Sequence, residues 1–100
     1  MNEFANAYAL RCEEASKEQG IDQLVADLKE EGITATSEQT GGFTMCAYVE
    51  LKNNRYIYAN PYGAGVYDDE GFEYDITQLD EPNSREVAYC VAQWIKENNK

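Results

Sequence analysis

Phe43-Thr44-Met45-Cys46-Ala47-Tyr48-Val49-Glu50-Leu51, Lys52-Asn53-Asn54-Arg55 and Tyr56-Ile57-Tyr58-Ala59 are the consecutive segments on which the fold turns. In the first, Phe43, Met45, Ala47, Val49 and Leu51 alternate with Thr44, Cys46, Tyr48 and Glu50. That period of two belongs to a strand with one apolar and one mixed face. Asn tolerates positive φ, so residues 52–55 read as a tight turn, and Tyr56–Ala59 returns antiparallel. Beyond it, Asn60-Pro61-Tyr62-Gly63-Ala64-Gly65 reads as a loop, because Pro61 cannot donate to a ladder and two glycines follow. Val66-Tyr67 and Phe72-Glu73-Tyr74-Asp75-Ile76 flank Asp68-Asp69-Glu70-Gly71, a second hairpin with Gly71 in the position that needs positive φ. Thr34 to Ser37 is expected to add an edge strand.

Helical periods lie on both sides of this meander. Phe4, Tyr8, Cys12 and Ala15 recur at three- and four-residue spacing and Gly20 can cap the helix they define. Ile21, Leu24, Val25 and Leu28 form a second apolar stripe, which Gly32 ends. Asp80-Glu81-Pro82-Asn83-Ser84 is a helix start, and Val87, Val91, Trp94 and Ile95 follow on one face, with Trp94 assigned to the core. The expected fold is α+β: two N-terminal helices, an antiparallel meander of three to five strands and a C-terminal helix, as a two-layer sandwich. The 100 residues, 1–100, form a single domain, since two cores would each be too small to stand alone.

Charge excludes several functions. The chain has 19 Asp and Glu against 8 Lys and Arg and no His, a net charge of −11. It lacks the clustered cations that contact phosphates, so direct nucleic-acid binding and docking on an anionic membrane are not expected. The N-terminus has an acid at Glu3 and only a short apolar stretch, so neither a secretory signal nor a membrane span is read there, and a cytoplasmic protein is expected. Cys12, Cys46 and Cys90 are an odd, widely spaced set, which reads as three reduced, mostly buried thiols rather than a metal knuckle or a disulfide framework.

The inventory for catalysis is thin. Without His the commonest general base is missing, and no glycine-rich phosphate loop is present, so the chain is read as non-enzymatic with no cofactor. A carboxylate pair is the remaining acid–base arrangement, and spacing in sequence does not measure its separation in space. Asp68, Asp69 and Glu70 are consecutive, with Gly71 directly after them, so the alternating ligands of a calcium loop are lacking and no metal site is expected.

One segment stands apart. From Tyr56 through Ser84 there is no Lys or Arg, while seven carboxylates and five of the eight tyrosines fall there. Tyr combines contact area with a hydroxyl and is enriched at interfaces. The candidate partner-binding residues are Tyr56, Tyr58, Tyr62, Tyr67, Asp68, Asp69, Glu70, Glu73, Tyr74 and Asp75. Together they would present negative charge and aromatic surface to a basic protein groove. The competing explanation is that alternation puts acids on the wet face of any sheet, that Tyr is a good strand former, and that the charge serves solubility. Whether Tyr56 and Tyr58 point outward, or Ile57 and Ala59 do, is left open by the pattern alone.

In size, acidity, lack of catalytic motifs, the helix–meander–helix order, the Gly41-Gly42-Phe43 strand entry and the Asp68-Asp69-Glu70-Gly71 hairpin, the chain resembles small acidic inhibitors encoded by phages and mobile elements, such as anti-restriction and anti-CRISPR proteins. The resemblance implies stoichiometric binding to a basic surface of a nucleic-acid-handling host complex, as a nucleic-acid mimic. The alternative is a homodimer or other homo-oligomer, a structural or accessory protein whose acids serve solubility. A small enzyme or metal-dependent regulator ranks behind both.

Overall fold

The computed structural model describes residues 3–41, 44–77 and 80–98, with side chains from residue 7 onward. Helix α1 (Glu3–Glu18) and helix α2 (Ile21–Glu30) are followed by strands β1 (Thr36–Gly41), β2 (Thr44–Glu50), β3 (Tyr56–Asn60), β4 (Gly63–Asp68) and β5 (Gly71–Asp75), and then by helix α3 (Ser84–Asn98). All five strands lie in one antiparallel sheet in chain order, β1-β2-β3-β4-β5. The α+β arrangement of a meander between N- and C-terminal helices is therefore the observed one. Phe43 and Gly42 lie outside the described residues, as does the Phe4 side chain.

The helices cover one face. Ile21, Leu24 and Leu28 of α2 and Val87, Ala88 and Val91 of α3 are buried against Ala47 and Val49 of β2, Ile57 and Ala59 of β3, and Ala64 and Val66 of β4. Cys12, Trp94 and Ile95 pack on the edge of this core. The core thus lies under the three central strands, while β1 is exposed along its whole length. Polar bonds tie the layers at their margins. The Ser84 hydroxyl donates to Asp27 Oδ2 at 2.6 Å, joining α3 to α2. Gln19 Oε1 accepts the Met45 N–H at 2.9 Å, and the buried Ser16 shares a 2.6 Å hydrogen bond with Ser37 of β1.

The turns follow the residues that allow them. Asn53 and Asn54 have φ of 63° and 60°, so both central residues of the 52–55 turn are left-handed, the geometry that suits a twisted hairpin. Gly20 (φ 77°) connects α1 to α2, and a Cβ there would meet Pro61 Cγ at 3.1 Å, so the helical corner rests directly on the β3–β4 turn. That turn corrects the expected loop at 60–65. Asn60 Oδ1 accepts the N–H groups of Tyr62 and Gly63 at 2.8 and 3.1 Å, which reverses the chain at once and lets β4 begin at Gly63. The edge strand expected at 34–37 likewise runs later, over 36–41.

Helix α3 starts on a side-chain cap, with Asn83 Oδ1 accepting the Glu86 N–H at 3.0 Å. Asn83→Ala is expected to lower stability by about 1 kcal/mol, read as a shift in denaturant midpoint with unchanged slope. At its far end, the Arg55 guanidinium lies 5.5 Å from the Trp94 ring centroid and its Nη2 donates to the Asn98 carbonyl at 3.3 Å. This cation is therefore committed to the helical layer. Among the described residues no helix is long and apolar enough to cross a membrane.

Candidate functional site

Residues opposite each other in adjacent strands share a face, so the register assigns the uncovered side of the sheet row by row. Glu50 pairs with Tyr56, Tyr56 with Tyr67, and Tyr67 with Phe72. The next row runs Thr36, Tyr48, Tyr58, Gly65, Asp75. A third carries Glu38 opposite Cys46 and, on the other side, Asn60 opposite Gly63. Ile57, Ala59 and Val66 occupy the alternate, buried positions, which turns Tyr56, Tyr58 and Tyr67 away from the helices.

The result is a continuous aromatic surface. Tyr56 and Tyr67 stack at 5.7 Å between centroids with an interplanar angle of 11°. Tyr58 lies 5.0 Å from Tyr56, 5.8 Å from Tyr48 and 5.5 Å from Tyr67, and Phe72 meets Tyr67 edge-on at 5.5 Å. Each ring half-buries its neighbours, yet Phe72 remains 62% exposed. Rings in such offset and edge contacts hold one another in place, giving a preformed contact surface rather than five mobile side chains.

Carboxylates border the rings, and the hydroxyl and thiol acidities register them. Burial, then the Glu38 carboxylate, pushes the Cys46 thiol up to about 11. Burial likewise raises the Tyr48 hydroxyl, with Glu50, Glu38 and Tyr56 adding to it. Tyr58 is raised by burial first and then by Cys46, Tyr56, Glu38 and Tyr48. The Tyr48 and Tyr58 hydroxyls are thus held in their neutral form, with Glu38 and Glu50 along one margin of the face and Asp75 at the other.

Not all of the expected residues gather on this face. Tyr56, Tyr58, Tyr67 and Asp75 do. Tyr62 stands 78% exposed in the β3–β4 turn at one end. Asp69 lies at the opposite end, beside the Asn53–Asn54 turn, Glu50 and Tyr56. Asp68 is half-buried, and its Oδ1 accepts the N–H groups of Glu70 and Gly71 at 2.8 and 3.1 Å, so this carboxylate holds the β4–β5 turn. Glu70 is exposed in that turn and Glu73 in β5.

Tyr74 is the correction. The β4–β5 register shifts so that Val66 pairs with Tyr74 while Tyr67 pairs with Phe72, leaving Glu73 as an extra residue. This bulge reverses the parity of the strand, and Tyr74 comes to the helical side, next to Tyr89 and Trp94 of α3. Phe72, in contrast, joins the outer face. Tyr48, Phe72, Glu38 and Glu50 are members that the 56–84 segment did not single out; the strand alternation of Cys46, Tyr48 and Glu50 was the available signal for two of them.

The thiols are free, with Cys46 buried and Cys12 and Cys90 half-buried, so two of the three are less enclosed than expected. Among the described residues no three of Cys, Asp and Glu come together in a manner that would hold a metal ion. Comparison with protein-family models, curated proteins and solved structures finds no match to this chain.

Proposed function

We propose that this protein is a non-catalytic binding module whose uncovered sheet face docks on a basic surface of a nucleic-acid-handling protein, acting there as a stoichiometric inhibitor. The observation that carries this reading is the five-ring surface with Glu38, Glu50 and Asp75 at its margins, on a chain of net charge −11. Grooves that hold single-stranded nucleic acid combine cations that track phosphates with groups that stack on bases. Stacked tyrosines bordered by carboxylates offer such a groove both kinds of contact, in a rigid form that loses little entropy on docking. Self-association through the same face is opposed by the charge that each copy carries.

Affinity capture with tagged protein, at low and high salt, tests this beside the double variant Glu38→Lys/Glu50→Lys. Both residues are exposed, so the variant is expected to fold, which circular dichroism checks. A basic nucleic-acid-handling partner is expected at near-equal stoichiometry, lost in high salt as screening shortens to about 3 Å near 1 M. The double reversal is expected to weaken that complex at least about tenfold. A partner indifferent to salt and to both reversals, or concentration-dependent mass in light scattering with no partner, overturns the proposal.

A further inference from the structure

Beside the rings, the outer face drops to bare backbone. Gly63 and Gly65 are successive outward positions of β4, one opposite Asn60 and the other flanked by Tyr58 and Asp75. A Cβ on Gly63 would meet Thr77 Oγ1 at 3.0 Å, and an open depression of about 530 Å³ extends over this part of the face. Its walls are aromatic. The rings of Tyr67 and Phe72 lean over Gly65, where a Cβ would meet Tyr67 Cε2 at 3.3 Å and Phe72 Cε2 at 3.2 Å, and Tyr58 and Tyr62 contribute further lining. Asp75 and Thr77 close the β5 edge. The Asp75 carboxylate is oriented there: its Oδ1 accepts the Thr77 N–H at 3.1 Å and the Thr77 hydroxyl at 3.2 Å, while Thr77 Oγ1 accepts the Ala64 N–H at 3.3 Å. No Lys or Arg is among the described residues that line the depression.

We propose that this depression is the anchor site for one arginine of the partner, its guanidinium seated against the rings that line it and meeting the Asp75 carboxylate. This rests on the function proposed above and adds the chemistry of the central contact. A planar guanidinium stacks on ring faces and presents paired N–H donors to a carboxylate. An ammonium is a compact, strongly hydrated charge that gains less from flat walls. An anion would meet Asp75 and the field of the whole chain, and an uncharged side chain would lack the charge-assisted hydrogen bond to that carboxylate.

Two-dimensional NMR of the intact protein, titrated with N-acetyl-arginine methylamide, its lysine counterpart and its uncharged isostere citrulline, tests the assignment without any protein partner. Saturable shifts are expected at the amides of Gly63, Gly65, Asp75 and Thr77 with the arginine probe. Citrulline is expected to bind at least about tenfold more weakly and lysine several-fold more weakly. Asp75→Asn keeps an acceptor oxygen for Thr77 and removes the charge, so it is expected to bring arginine down to the citrulline level. No saturable shift, shifts centred elsewhere, equal binding of arginine and citrulline, or an arginine response unchanged in Asp75→Asn overturns the anchor. A preference for citrulline would identify a site for neutral amides instead. Failure here leaves the capture experiment standing, and failure of capture with success here would leave an arginine site without the inhibitory role.

Discussion

Ile57→Ala and Tyr58→Ala, one residue apart on β3, are expected to fail in different ways. Ile57 is 0% exposed and packs between the sheet and the helices, so truncation removes buried methylenes and leaves a cavity that a close-packed core fills poorly. A loss of about 2–5 kcal/mol is expected, seen as a large fall in denaturant midpoint, which is a major share of the stability of a domain this small. Tyr58 faces the other way and loses ring contacts with Tyr48, Tyr56 and Tyr67 at a half-exposed surface. Its truncation is expected to cost about 1–2 kcal/mol of stability. Partner binding should fall by about 2 kcal/mol or more, roughly thirtyfold, as for an aromatic at the centre of an interface. Denaturation curves and affinities for both variants at a temperature where each is folded make the comparison. A Tyr58→Ala protein that binds its partner as tightly as the wild type would remove the aromatic face from the interface.

Alkaline pH is expected to destabilise the fold through the same face. The Cys46 thiol is raised from the ordinary value near 9 to about 11, by burial and then by Glu38. Between those values the unfolded chain has released the thiol proton and the folded chain keeps it. The unfolded state then binds fewer protons, so stability falls as pH rises. The contribution is intact below about pH 9 and is lost progressively through about pH 11, with a slope of at most about 1.4 kcal/mol per pH unit for this one group. Tyr48 and Tyr58 shift in the same direction from 10.0 and extend the fall to higher pH. Burial, then Glu86, raises Cys90 as well, so a variant at position 46 removes part of the effect rather than all of it. Denaturant midpoints measured from pH 8 to 11.5, a span set by these shifts, are expected to decline for the wild type and to decline less for Cys46→Ala. Tyr58→Phe should flatten the most alkaline section. A midpoint that is level over this range, or a Cys46→Ala curve that parallels the wild type, would contradict the buried, carboxylate-flanked position of the thiol.

Much of the architecture was legible because it rests on local periods. The alternation through residues 44–51 put Met45, Ala47, Val49 and Leu51 on one face, and all four are buried. The stripe at Ile21, Leu24 and Leu28 and the one at Val87 and Val91 likewise became the helical side of the core. Asn53-Asn54 turned the chain at the expected place because the conformation they adopt is one that Asn tolerates. The expectation failed where a residue's role depends on a neighbour across the sheet. Gly63 and Gly65 read as loop residues, since glycine is a poor strand former, yet both are in β4, where the Tyr67 and Phe72 rings lean over the bare backbone of Gly65.

By itself, the sequence determined that the chain makes an acidic α+β domain with helices at both ends of a meander, because burial of apolar side chains at periods of 3.6 and 2 is a property of each segment alone. It also concentrated tyrosines and carboxylates in one cation-free stretch. Only the tertiary structure decided which of them act together. Strand pairing brought Tyr48 and Phe72 to Tyr56, Tyr58 and Tyr67 and set Glu38 and Glu50 at their margin, while one inserted residue at Glu73 carried Tyr74 to the opposite face. Register between strands is a long-range property, and a shift of one position exchanges the two faces of a sheet.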